Sequence, residues 1–163
     1  AIEVMISSLK AHEVEVSIIN FCRVIGSKGI VKKKNKDEIY SNQLITQQEF
    51  IEKHLQAFCG WGRFPINVCG KLYKRELLQD IELSGVIYGE DLCMNLQVLP
   101  KAKSIVINSK GLYFYKWGGV TTNIKDSLFD NAISQYLFKI QYFKKFKRDD
   151  CVEMADVELC NFL

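Results

Sequence analysis

Proline and glycine are scarce here, at 2 and 10 of 163 residues. With 48% of residues hydrophobic, that excludes a collagen-like chain and a disordered tail. Long apolar runs are missing too. Stretches such as Ser104-Ile105-Val106-Ile107 are far shorter than the roughly 18 residues of a membrane-crossing helix. Neither charge sign dominates: 22 basic against 19 acidic residues leave +3, too slight a surplus to argue for nucleic acid. No two of the six cysteines (Cys22, Cys59, Cys69, Cys93, Cys151, Cys160) have the spacing of a metal knuckle or redox pair. The two histidines, His12 and His54, have no partner at ligand spacing, and no nucleophile-elbow or triad signature occurs. Asp-x-Asp, a common way to present carboxylates to Mg²⁺ or Mn²⁺, is absent as well.

What is present suits one well-filled core. A chain of this length buries about 70% of the surface its extended form would show, so a single domain over 1–163 is expected, with sheet and site in 1–125 and terminal helices in 126–163. Scattered cysteines with apolar neighbours read as reduced core residues. The first segment lacks the basic opening of a secretory leader, which points to the cytosol. Ala1 opens directly on a helical pattern, so the chain reads as a piece of something longer.

Ile2, Met5, Ile6 and Leu9 predict a helix to about Ala11, and Val14 through Phe21 a largely buried strand. Gly26-Ser27-Lys28-Gly29 predicts a hairpin turn, with Lys32, Lys33, Lys34 and Lys36 on a solvated outgoing arm. Thr46-Gln47-Gln48-Glu49 has the capping-box pattern and should open a helix burying Phe50, Ile51, Leu55 and Phe58. Strands are expected at 68–73, 104–107 and 112–115, and helices at 74–83 and around Leu92, Leu96 and Leu99 up to Pro100. Phe129, Ile133, Tyr136, Ile140 and Phe143 mark a long helix over 126–148, with a shorter one over 151–163. The order is irregular, which gives an α/β or α+β domain.

Three features could carry chemistry. Glu90 and Asp91 stand side by side at a helix start, where two acids stabilise the helix dipole or supply a general base. Lys116-Trp117-Gly118-Gly119-Val120-Thr121-Thr122-Asn123 follows a strand, either as an ordinary connection or as an anion-holding loop. Lys139, Lys144, Lys145, Lys147 and Arg148 cluster late in the long helix. They complement its dipole, or they rest on an anionic membrane surface.

Four segments, taken in order, resemble bacterial family 2 glycosyltransferases of the GT-A fold. Asn67–Leu78, with Lys71-Leu72-Tyr73-Lys74-Arg75-Glu76-Leu77, is similar to a stretch common in that family, and Tyr88-Gly89-Glu90-Asp91-Leu92 looks like its Glu-Asp motif. Lys101–Val106 resembles its helix-to-strand segment, and Leu112-Tyr113-Phe114-Tyr115-Lys116 its aromatic strand. The likeness is tightest over about 66–123 and looser over 1–150.

The resemblance implies a partial GT-A α/β fold: a small mixed β-sheet flanked by helices, without the N-terminal nucleotide-binding strands. It implies inverting transfer of a sugar from a nucleotide-diphosphate donor to a glycan or lipid-linked acceptor, in polysaccharide or cell-envelope synthesis. Asp91 would be the base and Glu90 its neighbour; Lys116 and Thr121 would sit near the donor diphosphate; Lys71 and Tyr73 would line the acceptor region. Mg²⁺ or Mn²⁺ would serve the full-length enzyme, and this piece would hold none and be inactive alone. The location implied is cytoplasmic, at the inner face of the cytoplasmic membrane. An incomplete sheet would leave an edge open to self-association. The competing reading is a non-catalytic binding or membrane-surface module.

Overall fold

The computed structural model describes residues 1–25, 31–34, 41–61, 64–83, 89–116 and 128–162. Helix α1 (Ile2–His12) ends at Glu13, whose left-handed φ of 52° directs its N–H back to Leu9 O. Strand β1 (Val16–Ile25) follows. Its apolar run is nearly continuous because both faces are covered: Val16, Ser17, Ile18, Ile19 and Asn20 are all buried.

β1 is central in a five-stranded mixed sheet. It runs parallel to β5 (Ser104–Lys116). Its other edge is shared by β2 (Val31–Lys34) and β4 (Lys71–Tyr73), antiparallel at opposite ends. β3 (Gln43–Thr46) lies antiparallel to β5 on the far side. The turn expected at 26–29 lies outside the described residues.

β5 corrects the expectation of two strands. It is continuous, with a register that slips twice: Ile19 faces Asn108, Asn20 faces Gly111 and Phe21 faces Tyr113. Asn20 Nδ2 donates to Ser109 O at 3.0 Å across the irregularity, so the polar stretch is carried through as bulges. β3 has no counterpart in the sequence reading: four residues with only Ile45 buried present too little pattern.

Thr46 Oγ1 accepts the Glu49 N–H at 3.2 Å, one arm of the capping box. The Glu49 carboxylate goes to Lys53 Nζ at 3.0 Å. The helix that follows changes pitch, from α2 (Gln47–Glu49) through a π turn (Phe50–His54) to a 3-10 stretch (Leu55–Cys59). The varying pitch brings Phe50, Leu55 and Phe58 to the core together. The helix expected over 74–83 is only a 3-10 turn at Arg75–Leu78, with Asp80 at a positive φ of 58° soon after it.

Helix α3 (Glu90–Val98) passes into a 3-10 turn containing Pro100. Helices α4 (Leu128–Lys145) and α5 (Asp149–Phe162) pack against each other. α4 stops three residues short of expectation because Lys147 turns left-handed (φ 55°), and Arg148 N–H closes on Phe143 O at 3.0 Å. The core joins Ile18, Ile105 and Ile107 of the sheet to Phe50, Leu96 and Leu99, and to Phe143, Cys151 and Ala155 of the last two helices. The architecture is a mixed α/β sheet flanked by helices. Among the described residues no helix is long and apolar enough to cross a membrane.

Candidate active site

Gly89 caps the start of α3 at φ 89°, and Glu90 and Asp91 occupy the first turn. A Cβ at position 89 would lie 2.6 Å from the Gln135 side-chain amide of α4, so glycine permits both the turn and that close approach. Successive helix residues diverge by about 100°, and the two acids part accordingly: Glu90 is exposed and Asp91 half-buried. The Asp91 carboxylate leaves its own helix to accept the backbone N–H of Val68.

Asn95, four residues on, shares that face of α3. It is fully buried, donating Nδ2–H to Ile66 O at 2.8 Å and accepting the Tyr73 hydroxyl at 2.7 Å. Lys71 Nζ donates to Asn67 O. Consecutive residues 66, 67 and 68 are therefore each held by a different side chain, from α3 or β4. β4 sits there because Gly70, at φ 71°, offers its carbonyl to Ile19 N–H at 2.9 Å, a spot where a Cβ would meet Ile19 O.

Burial sets the electrostatics. Lys71 is 9% exposed, and desolvation brings its ammonium down to about 7, opposed by Asp91 and then by Cys69. Asp91 is pushed above the ordinary aspartate range, first by burial and then by Glu90; the Val68 hydrogen bond and Lys71 pull it back. Burial also lifts the Tyr73 phenol well above its usual value, against the Asn95 hydrogen bond. Carboxyl and amine are thus each displaced toward the neutral form, the direction burial imposes on both charges.

The structure thus gathers Asp91, Lys71 and Tyr73, with Glu90 adjacent. It does not bring Lys116 to them. The Lys116 backbone pairs with Val24, six residues and about 20 Å along β1 from the Ile18–Lys71 pair. Thr121 lies outside the described residues. Asn95 escaped the sequence reading, although its i+4 relation to Asp91 was a usable signal. The backbone groups of 66–68 leave no signal in sequence.

Among the described residues no three His, Cys, Asp or Glu side chains gather as a metal site. Lys71 acts electrostatically on Asp91, and its ammonium would repel Mg²⁺ or Mn²⁺, so the cluster fits neither ion. Glu15, just before β1, accepts the Lys103 N–H at 2.6 Å. A cavity of about 170 Å³ reaches the cluster through Ile66 and Asn67. Another, of about 150 Å³, lies between α4 and α5. Neither Asp91 nor Glu90 lines a described cavity.

The basic stripe at the end of α4 is narrower than expected. Lys139 is buried against Glu158 at 2.5 Å, and Arg148 is drawn to Ile51 O and to Asp150, its Nη2 lying 2.5 Å from Asp150 Oδ2. Lys144, Lys145 and Lys147 alone remain exposed.

Fold and site together define a broad class: a mixed α/β protein with an acid–amine cluster at a helix start. No protein-family model matches the chain, and no curated protein is significantly similar to it.

Proposed function

We propose that this chain is the acceptor-side portion of an inverting glycosyltransferase similar to the GT-A family 2 enzymes, with Asp91 as the general base. The observation that supports this most is the Asp91 carboxylate itself. It is half-buried, turned out of its helix onto Val68 N–H, and within Coulombic reach of buried Lys71. A helix-stabilising acid has no need of that environment. A base does, since its raised pKa lies closer to working pH.

In the proposed reaction the acceptor hydroxyl gives its proton to Asp91 while its oxygen attacks the anomeric carbon. The nucleotide diphosphate departs with the bonding electron pair, on groups supplied by a donor-binding half. Lys71 and Tyr73 brace the segment that anchors Asp91, and Glu90 faces the acceptor. The setting is polysaccharide assembly on the cytoplasmic side of the membrane.

The test is Asp91→Asn in an enzyme that joins this chain to a nucleotide-binding half. Asparagine keeps an oxygen for Val68 N–H, so the fold should survive, while kcat falls about 10²–10⁴-fold. An unchanged kcat with an intact fold refutes the base and leaves Asp91 as a tie between α3 and 66–68. The chain alone should transfer no sugar.

A further inference from the structure

Helix α3 grips one short stretch of chain twice from a single face. Asp91 accepts the Val68 N–H, and Asn95, one turn later, donates to the Ile66 carbonyl at 2.8 Å. One helix turn rises about 5.4 Å, and two residues of chain reach at most about 7 Å. The two side chains therefore fit the two ends of a stretch running antiparallel to α3. Lys71 Nζ holds the carbonyl between them, that of Asn67. Lys71 and Tyr73 stand two apart on β4 and share a face, which brings the Tyr73 hydroxyl to Asn95 at 2.7 Å.

The chemistry of the position calls for an amide. The Ile66 carbonyl can only accept, so the amide nitrogen faces it and the amide oxygen faces Tyr73. An ionised carboxylate has no donor for Ile66, and an aliphatic side chain has neither group. Asn95 is fully buried, so water cannot replace either bond. Gln97 offers an internal comparison. Also buried, it clamps both backbone groups of Glu82, at 3.0 and 2.9 Å, and donates to the Cys93 carbonyl. Two residues on from Asn95, it points about 200° away around the helix. Each amide ties α3 to a neighbouring segment, but the Asn95 tie is to the stretch that carries the Asp91 anchor.

We propose that Asn95 is a positioning residue for Asp91: by fixing Ile66 and Tyr73 to α3 it keeps the Val68 N–H aimed at the Asp91 carboxylate. Calling that carboxylate a base rests on the function proposed above; the positioning does not. Among the described residues, Glu90 of the same helix and Lys71 and Tyr73 of β4 interact electrostatically with Asp91, and Cys69 with Lys71. Replacing Asn95 alters none of these groups. A change at Asp91 then reads the Val68 hydrogen bond, which favours the ionised form.

The experiment titrates the Asp91 carboxyl in the 163-residue chain by carbon-detected NMR. Asn95→Leu should raise its midpoint by about one pH unit, the worth of a hydrogen bond to a half-buried charge. In an enzyme joined to a nucleotide-binding half, the acid limb of kcat should move up with it. Gln97→Leu should leave the midpoint in place. An unmoved midpoint in folded Asn95→Leu, or an equal rise in Gln97→Leu, would overturn the proposal and leave Asn95 a structural tie. Should Asn95→Leu fail to fold, Tyr73→Phe decides. It frees the Asn95 amide oxygen and removes a phenol whose raised pKa keeps it neutral throughout, so the midpoint should rise by about half a pH unit. No rise there overturns the proposal equally. The two proposals fail separately: a midpoint that moves, with full activity in Asp91→Asn, removes the base and keeps the positioning. An unmoved midpoint, with activity lost in Asp91→Asn, does the reverse.

Discussion

Lys139 and Lys71 are both buried, at 4% and 9% exposure, yet they are held in different ways. Lys139 reaches across from α4 to the Glu158 carboxylate of α5 at 2.5 Å, an ion pair that braces two helices. Lys71 donates to a backbone carbonyl, while its nearby carboxylate, Asp91, is hydrogen-bonded to Val68. A buried ammonium with a dedicated counter-ion is structural. One with a shared and partly committed counter-ion can lose its proton near neutrality.

The largest effect should come from breaking the first pair. Glu158→Gln leaves Lys139 buried without a counter-ion and should cost about 3 kcal/mol, the low end for such pairs because Glu158 keeps about half its surface in water. Replacing both, Lys139→Met with Glu158→Leu, should cost much less. Urea unfolding of the three proteins checks this, and equal losses in the single and double variants would make the pair unimportant.

Lys71 should show itself through pH. Its folded pKa, about 7, lies below the ordinary lysine value of 10.5, so the unfolded chain holds more protons between those limits. Stability contributed by this group therefore rises with pH from about 7, by at most about 1.4 kcal/mol per pH unit. Above pH 9 the buried thiols oppose the rise, because burial raises Cys59 to about 12 and Cys93 to about 11, so the unfolded state loses those protons first. The clean window is pH 7–9. Lys71→Met should flatten the slope there, and a slope unchanged by the substitution would contradict the reading.

The smallest effect tests the contact between the two regions. Gly89→Ala should cost about 1 kcal/mol from its left-handed backbone, with a further few tenths from displacing Gln135. A double-mutant cycle with Gln135→Ala should recover only that second part. Full recovery would mean the contact, not the backbone, requires glycine.

Much of the fold was legible because it is local. Periodicity marks α1, β1 and α4, and Thr46 announces its cap. The sequence reading missed what depends on partners. β5 runs through a polar stretch because β1 carries its ladder past the slip at Asn20. The last cations of α4 read as one basic face until α5 brought Glu158 to Lys139. In the candidate site, Asp91, Lys71 and Tyr73 were singled out through resemblance, whereas Asn95 was missed despite its i+4 spacing from Asp91.

Residue order alone determined that the chain makes a mixed α/β core and that Glu90 and Asp91 open a helix, since both follow from short-range pattern and dipole. Only the tertiary structure decided which of the two acids is half-buried and that Lys71 is stripped of water. Those properties depend on desolvation by distant residues, which no local pattern records.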